Sequence, residues 1–154
     1  MITLVRTTAS DSDFISLVKL LDIELAVRDG DDHDFYDQFN KLDSIKFVVV
    51  AYHDKTPVGC GAIKHYKNTT VEIKRMFTSE KSRGKGIAKT ILSALEKWAV
   101  ELGYDCCILE TGIRQPEAIG LYKSCNYQQT ENYEQYKNIE ESFCFKKQLN
   151  KSTR

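Results

Sequence analysis

The chain has 154 residues, 42% of them hydrophobic and 29% charged, which suits one domain around one buried core. Its 22 basic and 22 acidic residues cancel, so no global field recommends nucleic acid or an anionic membrane as partner. No apolar run reaches the roughly 18–20 residues of a membrane span, the first residues lack a signal-peptide core, and five cysteines without a CxxC pair favour reduced, buried thiols in a cytoplasmic protein.

Ile2–Arg6 alternates as a short strand. Ser10-Asp11-Ser12-Asp13 offers a helix N-cap with an acid three residues on, and Phe14, Leu17, Val18, Leu21 and Leu25 follow at helical spacing, predicting a helix to Val27. A second, acidic helix is predicted over Asp32–Lys41, with Phe35 and Phe39 on its inner side. Lys46–His53, Val58–Tyr66 and Thr70–Thr78 read as an antiparallel meander, joined by turn chemistry at Asp54-Lys55-Thr56-Pro57 and at Lys67-Asn68. Period-2 spacing puts Glu72, Lys74, Met76 and Thr78 on one face of the third of these strands and Val71, Ile73 and Phe77 on the other.

Gly84–Leu102 is the clearest helix, with Ile87, Ile91, Leu95, Trp98 and Leu102 along one stripe and Gly103 as its C-cap. Asp105–Glu110 is a dense apolar strand of the kind buried on both faces, so strand, helix and strand form a crossover between parallel strands. Pro116–Ser124 reads as a further helix, opened by Pro116 and closed by Asn126 in the left-handed region. Tyr127–Thr130 and Ser142–Leu149 are the last predicted strands. Residues 1–150 thus form a single domain and residues 151–154 a frayed tail.

The chemistry concentrates in Met76-Phe77-Thr78-Ser79-Glu80-Lys81-Ser82-Arg83-Gly84-Lys85-Gly86-Ile87-Ala88, where a strand ends and a long helix begins at two glycines. Glycines let a ligand approach the backbone, and the amides of a helix's first turn point outward without partners, a combination that holds anions such as pyrophosphate. From Lys74 to Lys89 six Lys or Arg stand against one acid, Glu80. Neither decoy motif is met: Ala88 replaces the P-loop glycine before Lys89-Thr90, and Lys89 takes the third Rossmann glycine position. A glycine turn with no ligand is the alternative.

Lys81-Ser82-Arg83-Gly84-Lys85-Gly86 resembles the Q/R-x-x-G-x-G/A loop of the GNAT (Gcn5-related) N-acetyltransferases, with Lys81 keeping the charge of the first position but not its planar fork. Glu110 to Tyr127 is similar to the family's strand and "A-x-x-L-Y-x-x-x-G-F" helix, with Asn126 in place of Gly, Tyr127 in place of Phe, and Gln115 where many members have a cofactor-contacting Asn. The resemblance implies an α/β (α+β) fold: a mixed, mostly antiparallel sheet of about seven strands flanked by four helices, with a splayed parallel pair at the acetyl-CoA site. It implies an acetyl-CoA-dependent N-acetyltransferase in which Met76, Phe77, Thr78, Lys81, Ser82, Arg83, Gly84, Lys85, Gly86, Ile87, Ala88, Gln115 and Tyr122 bind the cofactor.

In that family the acceptor amine attacks the thioester directly, so none of the five cysteines needs to be a nucleophile. The resemblance makes Tyr122 the general acid for the leaving thiolate; otherwise its ring packs on the sheet. It makes Glu72, six residues before Thr78, the candidate base; otherwise Glu72 pairs with Lys74 or a cross-strand neighbour, and an ordered water takes the proton. His33, His53 and His65 lack ligand spacing, and no metal is expected.

Residues Asp22–Asp37 carry seven acids against Arg28. In GNAT folds the first two helices wall the acceptor side, so this segment favours a small cationic amine or lysine-like acceptor over an acidic one; a solvated helix face is the plainer reading. Tyr133 and Tyr136 either cover the site or are surface aromatics. The acceptor is a small molecule or a protein amine, not nucleic acid or membrane, and a homodimer is compatible with the family though no segment specifies an interface. The alternatives to the enzyme are a non-catalytic acyl-CoA-binding or regulatory module, an acyltransferase using another acyl donor or an oxygen acceptor, and a structural protein that binds no nucleotide.

Overall fold

A computed structural model describes residues 1–29, 45–112 and 115–149. The predicted helix Asp32–Lys41, the second half of the acidic segment and the tail 151–154 lie outside the described residues. The strands are β1 (Ile2–Thr7), β2 (Phe47–His53), β3 (Thr56–Lys67), β4 (Thr70–Thr78), β5 (Cys106–Gly112), β6 (Gln128–Thr130) and β7 (Ser142–Gln148). Among the described residues the helices are α1 (Ser12–Asp29), α2 (Ile87–Glu101) and α3 (Pro116–Ser124). The seven strands form one sheet in the order β1-β2-β3-β4-β5-β7-β6. Every neighbouring pair is antiparallel except β4 and β5, which α2 connects as the crossover rule requires.

Each helix boundary has a local cause. Asp11 rather than Ser10 caps α1, its Oδ1 accepting from the amides of Asp13 at 2.9 Å and Phe14 at 3.1 Å. Gly86 caps α2 in the left-handed region, so the helix starts after both glycines rather than at Gly84. At its other end Leu102 falls outside the helix and is 41% exposed, while Leu92 and Val100 join the buried stripe. Asn126, at φ 72°, closes α3, with Tyr127 N bonded back to Tyr122 O at 3.0 Å. The β2–β3 turn is shorter than predicted: only Asp54 and Lys55 lie between the strands, and Pro57 is absorbed where the register slips at Ala51/Tyr52.

Two cores sandwich the sheet. On one face Phe14, Leu17, Val18 and Leu21 of α1 pack with Val48, Val50, Cys60, Ala62 and Phe77. On the other, Ile87, Ile91, Leu92 and Leu95 of α2 pack with Val49, Ile63, Val71, Ile73, Leu109 and Phe145. Each of these large aliphatic side chains contributes roughly 1.5–3 kcal/mol by burial.

Strand β4 departs from the period-2 expectation. Cys60 pairs with Phe77 but Ala62 with Lys74, so Arg75 and Met76 together oppose the single residue Gly61. This bulge, with Arg75 at φ 58°, reverses the alternation. Phe77 therefore joins the α1 face with Glu72 and Lys74, whereas Met76 packs into the α2 core with Ile73. The predicted grouping of Met76 and Thr78 with Glu72, and of Phe77 with Ile73, fails for this reason.

Candidate active site

β4 and β5 part ahead of the bulge. Their parallel pairing covers only Thr70–Glu72 against Cys106–Ile108, and from Ile73 onward the β4 edge that faces β5 has no strand to bond. The chain then turns through a 3-10 segment, Glu80–Ser82, into two left-handed glycines, Gly84 at φ 81° and Gly86 at φ 78°. A Cβ on either glycine would meet nothing within 4 Å, so these residues serve backbone conformation and leave the surface open. The first amide after them to reach a backbone acceptor is Thr90 N, bonded to Gly86 O at 3.1 Å. The amides of residues 84–89 therefore form an open run at the positive end of α2.

This run opens into a groove of about 470 Å³, lined along one side by Met76, Phe77 and Thr78 and along the other by Gln115, Ala118, Leu121 and Tyr122. Ser82, Arg83, Gly84, Gly86, Ile87 and Ala88 close its helix end. Of the sequence-predicted cofactor residues only Lys81 and Lys85 stand off the groove wall, exposed on the same turn. Arg83 is anchored: its Nε donates to Thr78 O at 2.9 Å, its Nη2 to Glu24 Oε2 at 2.6 Å, and its guanidinium lies 5.7 Å from the Phe77 ring centre.

A second, smaller cavity of about 100 Å³ adjoins the groove on the far side of the bulge. The two share Leu21, Met76, Gln115, Ala118 and Tyr122, so they meet in the gap between β4 and β5. Its polar walls are Glu72, Lys74, Arg75 and Glu110, with Tyr136 beside them. Glu72 and Lys74 are buried and ion-paired at 3.8 Å. Burial pulls the Lys74 ammonium below its ordinary range, opposed chiefly by the Glu72 carboxylate. Arg75, also buried, pairs with Asp22 of α1.

Tyr122 unites both sequence readings. Its ring packs edge-on to Tyr127 at 5.8 Å and against Phe145 at 6.2 Å, yet the residue lines both cavities. Burial, reinforced by Glu110, raises its phenol above the ordinary tyrosine value, which keeps it protonated at neutral pH. Glu72 and Tyr122 thus stand on the walls of one cavity. Two described members of the acidic segment flank the site, Asp22 and Glu24; both are partly exposed, and each holds an arginine.

The acetyltransferase (GNAT) family model matches residues 15–127, which includes the bulge, the glycine turn and α3. The chain belongs to that family. An IAA acetyltransferase of Azospirillum brasilense is 39% identical over 80 residues, 51% of this chain and 52% of that protein. The chain thus spans about half the length of that curated relative. A Klebsiella pneumoniae structure named for acyl-CoA N-acyltransferase activity superposes with a TM-score of 0.81 at 26% identity, covering 97% of this chain and 99% of that one. A GNAT acetyltransferase of Elizabethkingia anophelis, solved with acetyl-CoA bound, has the same fold, with a TM-score of 0.70 at 20% identity over 96% and 98% of the two chains.

Within this GNAT framework the sequence reading missed several contributors. Gly59 and Gly61 on β3 let α2 sit close, and a Cβ on Gly61 would lie 2.5 Å from the Met76 sulfur and 2.9 Å from Leu95 Cδ1. Lys74 and Arg75 read as part of a basic run, but they are buried in the second cavity. Among the described residues no group of three His, Cys, Asp or Glu side chains could hold a metal, and no helix is long and apolar enough to cross a membrane.

Proposed function

We propose that the chain is an acetyl-CoA-dependent N-acetyltransferase whose acceptor is a small cationic amine or a lysine-like group. The observation that carries this reading is the meeting of the two cavities at Met76, Gln115 and Tyr122, with open amides at one end and the buried Glu72 at the other. Acetyl-CoA supplies the acetyl group as a thioester. The groove suits such a molecule: amides 84–89, with Lys81, Lys85 and Lys89 nearby, favour a diphosphate, and the unpaired β4 edge can bond an amide-bearing arm.

The chain's residues then divide the work. The β4 backbone at the bulge is placed to donate to the carbonyl oxygen as charge develops there. Glu72 takes one proton from the acceptor ammonium, so that the neutral amine attacks the thioester carbon. As the C–S bond breaks, Tyr122 gives its phenolic proton to the departing sulfur, and the second proton that nitrogen loses as the amide forms passes to solvent, from which Tyr122 is reprotonated. The cysteines stay outside the chemistry: all five are buried, and burial pushes the Cys60 and Cys107 thiols up to about 12. Among the described residues, Asp22, Glu72 and Glu110 stand against Lys74 and Arg75 on the acceptor side, one acid in excess, which favours an acceptor arriving as its ammonium form.

The test is product formation, followed by mass spectrometry, from acetyl-CoA and a panel of polyamines, amino sugars, lysine derivatives and lysine-bearing peptides. Tyr122→Phe and Glu72→Gln should lose turnover by about 10²-fold or more while still binding coenzyme A. Coenzyme A binding without transfer to any acceptor would favour a binding module. Preference for a longer acyl-CoA in competition would reassign the donor.

A further inference from the structure

The chain beyond the family match also reaches the site: Tyr136 lines the second cavity and Tyr133 contacts Glu72. The β6–β7 connection is folded on itself: Asn132 Nδ2 donates to Ile139 O and to Ser142 O, both at 2.9 Å, and Tyr136 N donates to Tyr133 O at 2.8 Å. These bonds hold Tyr133 inward, its ring edge-on to Tyr66 at 5.3 Å and to Tyr136 at 5.5 Å. Its hydroxyl reaches across 61 positions in sequence to donate to Glu72 Oε2 at 2.7 Å. Lys74 Nζ lies 3.8 Å from the same oxygen.

Both fixed partners of the Glu72 carboxylate are therefore on Oε2. Oε1 has no hydrogen bond among the described residues and is not among the sealed, partnerless atoms, and Glu72 lines the acceptor cavity. A carboxylate held by one oxygen and open at the other is in the arrangement a proton acceptor needs: fixed in direction, with a lone pair left for the incoming N–H.

We propose that Tyr133 is the positioning residue for the amine-side base, its hydroxyl fixing Glu72 Oε2 so that Oε1 is presented to the acceptor nitrogen. The inference rests on the N-acetyltransferase reading above and adds the C-terminal connection to the catalytic machinery. Tyr133 does not itself exchange the proton. Burial and the adjoining carboxylate hold its phenol far above the ordinary value, so it remains a donor throughout the working pH range. Tyr66, Tyr136 and Cys144 pack around it.

The experiment is a double-mutant cycle on amine acetylation with Tyr133→Phe and Glu72→Gln. Tyr133→Phe should lower kcat roughly tenfold, with the KM for acetyl-CoA and the affinity for coenzyme A unchanged. In the Glu72→Gln background the same substitution should cost nothing further, because a positioning residue has no effect once the group it positions is gone. Asn132→Ala, which frees the connection without touching the hydroxyl, should reproduce part of the loss and keeps the test open if Tyr133→Phe folds poorly. Full turnover in Tyr133→Phe, or losses that multiply in the double variant, would overturn this inference alone. A wild type that binds coenzyme A but acetylates no amine would overturn the enzymatic reading and this inference with it.

Discussion

Arg83 and Glu24 face each other across the mouth of the larger groove, Nη2 to Oε2 at 2.6 Å, and both residues line it. The pair is partly exposed, Arg83 at 39% and Glu24 at 32% of the side chain, so it contributes at most about 1 kcal/mol to stability. Its larger effect is electrostatic: a carboxylate stands beside the amides that would receive an anion. Arg83 keeps two other anchors, Thr78 O and the Phe77 ring, so it should hold its place when Glu24 is neutralised. Glu24→Gln is therefore expected to tighten coenzyme A binding a few-fold at low salt, with the gain fading as salt is added. Titration calorimetry of wild type and variant at two ionic strengths measures this, and weaker binding by the variant would mean that Glu24 preorganises Arg83 instead.

Gly86 separates conformation from charge. At φ 78° any other residue pays the left-handed penalty, although its Cβ meets nothing within 4 Å. Gly86→Ala should cost about 1 kcal/mol in denaturant unfolding. Gly86→Asp should unfold no earlier than Gly86→Ala, because an acid is welcome at a helix N-terminus. Its carboxylate, however, occupies the region where an anion would bind. In thermal unfolding acetyl-CoA should stabilise wild type and fail to stabilise Gly86→Asp, and equal ligand shifts in the two would place the diphosphate elsewhere.

Gly61 links packing to the site. The Cβ of Gly61→Ala would lie 2.5 Å from Met76 Sδ, 2.9 Å from Leu95 Cδ1 and 3.0 Å from Ile91 Cγ2. Met76 and Leu95 can turn aside, but the Ile91 methyl sits on a β-branched carbon of the helix, so α2 must give slightly, at a cost of about 1–3 kcal/mol. Met76 lines both cavities, and its displacement narrows their junction. The variant should therefore lose coenzyme A affinity as well as stability, and combining it with Met76→Ala should restore part of the stability by removing the clashing sulfur.

How far these features could be read beforehand depends on whether their cause is local. The left-handed positions at Asn68, Gly103 and Asn126 announce themselves, since those residue types tolerate that region, and each ends an element where it was expected. Arg75 gives no such signal. An arginine at φ 58° is stabilised by its surroundings, the Asp22 pair and the bond from Cys60 Sγ to Arg75 O at 3.4 Å, and so the reversal of the β4 faces was hidden. The glycine turn ahead of α2 was legible because two glycines and a helix start fall within one short stretch. The Glu72–Tyr133 bond was not, because it joins elements far apart in sequence and neither residue type marks the other.

The buried thiols set the alkaline limit. Cys60 and Cys107 are fully buried, and burial raises both from an ordinary value of 9.0 to about 12. Below pH 9 both thiols are protonated in the folded and unfolded chains, and their contribution to stability is fully present. Between 9 and 12 the unfolded chain releases their protons while the folded chain retains them, so stability falls as pH rises, by an amount of order 1 kcal/mol per pH unit for each thiol. Denaturant unfolding should be level up to about pH 9 and decline beyond it. Cys107→Ala should flatten that decline, though it starts from a lower stability because of the small cavity it leaves. An unchanged slope between pH 9 and 10 in Cys107→Ala would assign that loss to the other raised thiols, Cys60 and Cys144, because the tyrosines begin to count only above their ordinary value of 10.0.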